Sequence, residues 1–309
     1  MSRSLVVVSA PSNLGLMPPA DGREPGVRRA PEVLLADGLL DGLPVRERVT
    51  VEPPAYGFGR DVETGVRNAP AIRDYTERLA DVVASAVGPD TLAVVLGGDC
   101  SVLLGAMLGL RRWGDAGLVF VDGHRDFQTP ATSATGGAAG MDLALATGRG
   151  PALLTRFGGA DALVRDDAVV VVGHRDAGLG SVDGSSAIDD TTISRLDLGA
   201  VRQLGPGGAA AEALAVIRRS GADGFWLHVD IDVLSTDAMP AVDSPQPDGL
   251  SYRELRTLLA PLLQSGLALG LEVTIYDPDR DPSGRAGAAL AAFLRGALAE
   301  AVAERPNGG

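Results

Sequence analysis

Three short segments concentrate the residue types from which a cation site is built. The first is Val121-Asp122-Gly123-His124-Arg125-Asp126. In extended chain, side chains two residues apart share a face, so Asp122, His124 and Asp126 project together. Two carboxylates and an imidazole on one face can hold a divalent ion; the alternative is a charged turn with ordinary surface carboxylates. The second is His228-Val229-Asp230-Ile231-Asp232. Its two aspartates repel one another unless something positive or a layer of solvent sits between them. The third is Leu96-Gly97-Gly98-Asp99-Cys100-Ser101. Gly-Gly permits a tight turn and close backbone approach. Asp99 can cap a following helix or support a ligand from behind, and His228 can likewise support a ligand without touching the ion. Cys100 is either a metal-binding thiolate or a small buried hydrophobe, the commonest fate of a free cysteine.

Together these segments offer six ligands: Cys100, Asp122, His124, Asp126, Asp230 and Asp232. Oxygen-rich ligation with one imidazole suits Mn or a similar divalent ion. Carboxylates that bridge two cations bring them ~3.5–4 Å apart, the geometry of two-metal hydrolases, in which the pKa of water falls toward neutrality.

Each segment follows an apolar run that reads as a buried strand. Such runs are Leu5–Ser9, Leu92–Leu96, Gly117–Val121, Ala168–Val172, Gly224–Val229 and Leu269–Ile275, short and rich in Val and Leu, as parallel strands covered on both faces are. Between them lie segments with helical spacing: Arg73–Val87, Ser101–Arg112, Ala209–Arg219, Tyr252–Gln264 and Ala286–Ala303. The alternation predicts an α/β fold with one doubly wound, mostly parallel sheet. In such sheets ligands gather at the carboxyl ends of the strands, where all three segments fall. Two long loops, Gln128–Gly140 and Ser235–Gly249, follow the acidic strand ends, and loops of that length in a compact domain usually serve function. No repeat or linker divides the chain, so 1–309 reads as a single catalytic domain, with 304–309 a frayed tail.

Composition excludes several classes. The 309-residue chain carries a net charge of -13, which argues against nucleic acid as a partner. All 27 basic residues other than histidine are arginine, so neither a Schiff-base lysine nor a P-loop lysine exists. The single cysteine leaves no intramolecular disulfide. No apolar run approaches the ~18 residues of a membrane helix, and Leu5–Val8 is too short for a leader core. The expectation is a cytoplasmic protein with no membrane partner.

The ordered segments resemble the ureohydrolase family, that of arginase and agmatinase. That family carries Gly-Gly-Asp-His, Asp-Ala-His-x-Asp and Asp-x-Asp, here Gly97-Gly98-Asp99-Cys100, Asp122-Gly123-His124-Arg125-Asp126 and Asp230-Ile231-Asp232. The likeness runs from Ser9-Ala10-Pro11 to Tyr276-Asp277-Pro278. It implies a three-layer α/β/α arginase-like fold, two Mn ions, a small-molecule substrate and a homo-oligomer, trimer or hexamer. It implies one ion on Cys100, Asp122, Asp126 and Asp230 and the other on Asp122, His124, Asp230 and Asp232, with Asp122 and Asp230 bridging. The catalytic residues are then Asp122, Asp126 and Asp230, Asp126 passing a proton from the attacking hydroxide to the leaving amine.

The chain also departs from that pattern. Cys100 replaces a histidine; a thiolate is softer and allows Zn or Fe as well as Mn. The hydroxyarginine hydrolase of D-cycloserine biosynthesis is similar at this position. Ile275 stands where arginases place a glutamate that holds the guanidinium group, and the nearest acid, Glu272, lies at odd spacing. Gln128, Thr135 and Gly137 replace Asn, Ser and Asn in the loop that holds the amino-acid end, and Ala139 replaces the proton-shuttling histidine. Substrate contacts are expected from Gln128, Thr135, Asp176, Glu272 and Tyr276; Asp176, in His174-Arg175-Asp176, reads equally as half of a structural ion pair. The expected activity is hydrolysis of a C–N bond in a small amidine-like or guanidino-like substrate other than arginine. The alternatives are a hydroxyguanidine or modified-guanidine hydrolase of a specialised pathway, or a non-catalytic binding protein.

Overall fold

A computed structural model describes residues 3–176 and 185–303. The predicted tail, 304–309, lies outside the described residues. Eight strands form one sheet: β1 Ser4–Ala10, β2 Val45–Thr50, β3 Thr91–Gly97, β4 Ala116–Val121, β5 Val169–Val172, β6 Ser194–Leu196, β7 Gly224–Asp230 and β8 Ala268–Thr274. Their order is β2-β1-β3-β8-β7-β4-β5-β6. Every pairing is parallel, so the sheet is wholly rather than mostly parallel.

Helices cover both faces. They are α1 Ala30–Ala36, α2 Ala69–Ala86, α3 Val102–Trp113, α4 Asp142–Ala146, α5 Ala152–Thr155, α6 Leu198–Leu204, α7 Pro206–Ser220, α8 Tyr252–Gln264 and α9 Arg285–Val302. Strand residues alternate between two cores, as the twofold period of a strand requires. Val94, Val119, Leu227 and Leu271 pack with α1, α7, α8 and α9. Val95, Phe120 and Trp226 pack with α2, α3 and α4 on the other face. Helix α8 begins in a capping box: Ser251 Oγ accepts from the Glu254 N–H, and the Glu254 carboxylate accepts from the Ser251 N–H. Replacing Ser251 by alanine is expected to cost about 1 kcal/mol of stability, read by chemical denaturation.

The six predicted strands and five predicted helices are all present, with ends shifted by a few residues. Two strands are additional. Strand β2, Val-Arg-Glu-Arg-Val-Thr, is an edge strand with three exposed charged residues, so no apolar run marks it. Strand β6 is the other edge and has three residues. Among the described residues no helix is long and apolar enough to cross a membrane.

The order places β3, β8, β7 and β4 side by side in the middle of the sheet. The three acidic or thiol segments leave β3, β7 and β4. Residue 275 leaves β8 between them.

Candidate metal centre

Each ligand loop is held in place by close backbone packing. Gly98 N–H donates to the Ala10 carbonyl and Asp99 N–H to the Ser12 carbonyl. A Cβ on Gly98 would stand 1.8 Å from the Ser12 carbonyl oxygen, so only glycine allows this approach. Asp99 receives the Ser12 hydroxyl at 2.6 Å and the Ser101 N–H at 2.9 Å. It thus ties the turn bearing Cys100 to β1. After β4, the His124 N–H donates to Asp122 Oδ1 at 2.6 Å and the Gly123 N–H to Asp232 Oδ1 at 3.1 Å. After β7, the Asp232 N–H donates to Asp230 Oδ1 at 2.7 Å. Asp126 adopts a positive φ of 42°, unusual for a residue with a side chain.

These loops bring the six predicted ligands to one place. Asp122, His124 and Asp232 offer ligand atoms within 4.8 Å of one another, as do Asp122, Asp126 and Asp230, and also Cys100, His228 and Asp230. Cys100 Sγ lies 3.0 Å from Asp230 Oδ2 and 3.2 Å from Thr274 Oγ1. His124 Nδ1 lies 2.9 Å from Asp232 Oδ2.

Burial of so many acids in one place distorts their titration. Burial, then Asp126, Asp230 and Asp232, push the Asp122 carboxyl well above the usual range. Burial and then Asp232 do the same to Asp230, against the hydrogen bond from Cys100. Asp126 is also pushed up, by burial first. Cys100 rises through burial and then through Asp230. His124 goes the other way: burial alone would lower it, but Asp232, Asp126 and Asp230 outweigh burial and raise it to about 10. Against its own burial, His124 holds Asp232 below the normal carboxylate range. Of the nearby arginines, Arg125 Nε pairs with Asp176 at 3.1 Å, while Arg175 donates to the Asp232 carbonyl at 2.6 Å and its charge also helps hold Asp232 low. Asp122 Oδ2 is buried with no hydrogen-bond partner. An ionised carboxylate kept out of water without a partner costs several kcal/mol, so the donor set and its orphaned oxygen fit divalent cations.

Five of the six candidate ligands, Cys100, His124, Asp126, Asp230 and Asp232, line a cleft of about 350 Å³. Its walls include Leu16, Met17, Gln128, Thr135, Gly137, Ala139, Asp243, Ser244, Ile275, Asp277 and Arg280.

Beyond these contacts, the arginase family profile matches residues 3–299 of the chain. The chain belongs to the arginase family. The arginase of Bacillus caldovelox is 29% identical over 237 residues, 76% of this chain and 78% of that one. The arginase of Staphylococcus aureus (strain COL) is 25% identical over 285 residues, 90% and 91% of the two chains. The native structure of the Bacillus caldovelox enzyme gives a TM-score of 0.83 at 25% identity, covering 96% of this chain and 98% of that one.

Within this arginase-family chain, Gln128 and Thr135, two of the expected substrate contacts, line the cleft. Three other expected contacts lie elsewhere. Glu272 is fully buried and its Oε1 lies 2.7 Å from His228 Nδ1. In a straight strand its side chain points away from that of residue 275, and it does not reach the cleft. Tyr276 is buried with its hydroxyl donating to Asp281 at 3.1 Å, turned toward α9. Asp176 takes both the backbone N–H and the Nε–H of Arg125, so its ion-pair reading holds. Arg175 buttresses the Asp232 loop, and His174 Nδ1 lies 3.5 Å from Asp176.

Ile275 lines the cleft at φ 74°, and its N–H donates to the Gly98 carbonyl at 2.7 Å. A β-branched residue in the left-handed region is a true outlier. Backbone there is set by the joint between β8 and the Gly-Gly turn, and the side chain is delivered into the cleft despite its branching.

Sequence reasoning missed the wall contributed by the Ser235–Gly249 loop. Gln246 Nε2 lies 2.6 Å and Ser244 Oγ 3.4 Å from His124 Nε2. A half-turn of the amide would bring its oxygen to the ring, where it would accept Nε2–H and leave the Nδ1 lone pair for an ion. Replacing Gln246 by alanine is expected to lower metal affinity about 10- to 100-fold, read by competition with a chelating dye. Asp243, in the same loop, lines the cleft but is exposed to solvent; crowding by the surrounding chain and then Asp232 raise its carboxyl above the usual range. Buried Asp142, at the start of α4, is also pushed up, by burial and then Asp126. An isolated Asp before an apolar run, as Asp142 is, carries no motif; its burial shows only in the fold.

Proposed function

We propose that the chain hydrolyses a C–N bond of a small amidine-like or guanidino-like substrate with two divalent ions in the cleft, and that arginine is not that substrate. The observation that carries this is the clustering of Cys100, Asp122, His124, Asp126, Asp230 and Asp232, five of them lining one cleft and Asp122 beside them with its Oδ2 buried and unpartnered. Family membership supports the same reaction class.

Asp122 and Asp230 stand centrally, each within reach of the other acids, and suit the bridging positions. His124 and Asp232 complete one position and Asp126 and Cys100 the other. The ions, when bound, supply Lewis acidity and lower the pKa of water toward neutrality. Among these ligands Mn suits the carboxylates, while the Cys100 sulfur favours Zn or Fe. Asp126, at the floor of the cleft, is placed to accept the proton of the attacking water on a carboxylate oxygen and return it to the departing nitrogen. No histidine faces this cleft from residue 139, where alanine stands, so proton return depends on the carboxyl groups. Gln128 and Thr135 present polar groups to the outer end of a substrate. Ile275, Leu16 and Ala139 give the inner end apolar walls.

A second reading is favoured by Ile275 alone. An aliphatic side chain cannot pair with a guanidinium ion, whereas an N-hydroxyguanidine or another modified guanidine is less basic and needs no such partner. A panel of arginine, agmatine, N-hydroxyarginine and simple amidines, assayed for urea, hydroxyurea and ammonia with the metal-loaded protein, tests both. Turnover of a less basic member with arginine left intact is expected. Arginine as the fastest substrate, or inertness to every member despite bound metal, would sink the proposal; the inert result would favour a non-catalytic binding protein.

A further inference from the structure

His228 is set up as no ordinary core histidine would be. It lies on β7, fully buried, with its ring stacked on Phe120 at 4.4 Å and 8°. Nδ1 lies 2.7 Å from Glu272 Oε1, the residue paired with it across β7 and β8. Where Glu272 accepts the Nδ1 proton, the neutral tautomer would carry its lone pair on Nε2. Nε2 is buried and has no hydrogen-bond partner. It faces Asp122 Oδ2 at 3.9 Å, an oxygen that is itself unpartnered. Cys100 and Asp230 also offer ligand atoms within 4.8 Å of a His228 ring nitrogen and of each other. A lone pair aimed at a sulfur and two carboxylates is repelled unless a positive charge lies between them.

The spacing suits such a charge. Two donors on one ion, each bonded at ~2.1 Å, stand roughly 3–4 Å apart, depending on the angle. A histidine whose other nitrogen is held by a carboxylate is the usual form of a metal-bound imidazole. We propose that His228 Nε2 is a ligand of the ion held by Cys100 and Asp230.

This inference rests on the two-metal reading and changes its terms. The family resemblance implies Cys100, Asp122, Asp126 and Asp230 for that ion. The structure adds an imidazole arriving from β7, which stands in for the one that residue 100 no longer supplies. One position then offers sulfur, nitrogen and oxygen, the other nitrogen and oxygen alone. Softer donors select Zn or Co, whereas carboxylates suit Mn. The two positions would therefore be inequivalent in the ions they prefer.

Cobalt reports on both halves of this claim. Full-length protein stripped by a chelator is titrated with Co(II), followed by near-ultraviolet absorption and proton NMR in water. Two Co(II) per chain are expected, one of them carrying a thiolate-to-cobalt charge-transfer band from Cys100. Two hyperfine-shifted, exchangeable imidazole N–H resonances are expected, from His124 and from His228. In His228→Gln one resonance disappears, and affinity at the thiolate-bearing position falls at least about tenfold. Two bound cobalt ions with a single shifted imidazole proton in the wild-type protein overturn the proposal and leave the two-metal reading standing. The wild-type spectrum decides the matter even if His228→Gln fails to fold. Protein that binds no cobalt overturns both readings.

Discussion

Asp230→Asn is expected to reduce C–N hydrolysis by on the order of 10³-fold. Lewis-acid stabilisation is worth several kcal/mol of barrier, each 1.36 kcal/mol being a factor of ten, and Asp230 is the residue common to the two candidate ligand groups that include Cys100 or Asp126. Stability measurements separate this loss from unfolding. In metal-free protein Asp230 lies against Cys100 and Asp232, and burial and like charge both oppose its ionisation. The neutral amide should therefore leave the chelated protein at least as stable as chelated wild type. Addition of Mn should stabilise wild type by about 2.7 kcal/mol at a hundredfold excess over its dissociation constant, and Asp230→Asn by much less. Calorimetry with and without Mn, beside the activity assay, reads all three values. Full activity in the variant, or a wild type indifferent to Mn, would refute the assignment of this cluster as the reaction centre.

Ile275→Glu carries the second large effect. A charge-assisted hydrogen bond to a buried partner contributes about 1.5–3 kcal/mol, so kcat/KM for substrates with a guanidinium group should rise about 10- to 100-fold. The backbone does not oppose the change. Ile275 already sits at φ 74°, where strain is of order 1–3 kcal/mol, and an unbranched Cβ relieves part of it. Ile275→Gln, of similar shape and without charge, should give a small fraction of the gain. Steady-state kinetics on arginine and agmatine read the result. No gain from glutamate, or an equal gain from glutamine, would mean that the inner end of the substrate does not face residue 275.

Much of the centre is legible in sequence because its ligands are local motifs at the ends of apolar runs. Asp-x-His-x-Asp and Asp-x-Asp announce themselves by spacing, and burial of the preceding strand tells where they lie. What spacing cannot show is which partner a side chain meets across the sheet. Glu272 and His228 are 44 positions apart in the chain and become neighbours only through the pairing of β7 with β8. The same reason hides Gln246 behind His124 and leaves Asp142 unmarked. Edge strands β2 and β6 lack an apolar run because one side of each meets solvent. Tyr276 and Asp176 follow strand ends as ligands do, and only their hydrogen bonds show that they serve packing and an ion pair.

The position of β8 between β3 and β7 has an evolutionary consequence. Ile275, the residue that follows it, looks into the cleft from the middle of the strands that bear the candidate ligands, yet β8 itself supplies none of the six that the motifs mark. A single codon there can thus alter what the enzyme accepts while the ion-holding residues stay as they are. On the proposed reading, ion binding and this one wall of the cleft are inherited on separate strands of one sheet, which would give a lineage with this architecture a short mutational route from one nitrogenous substrate to another.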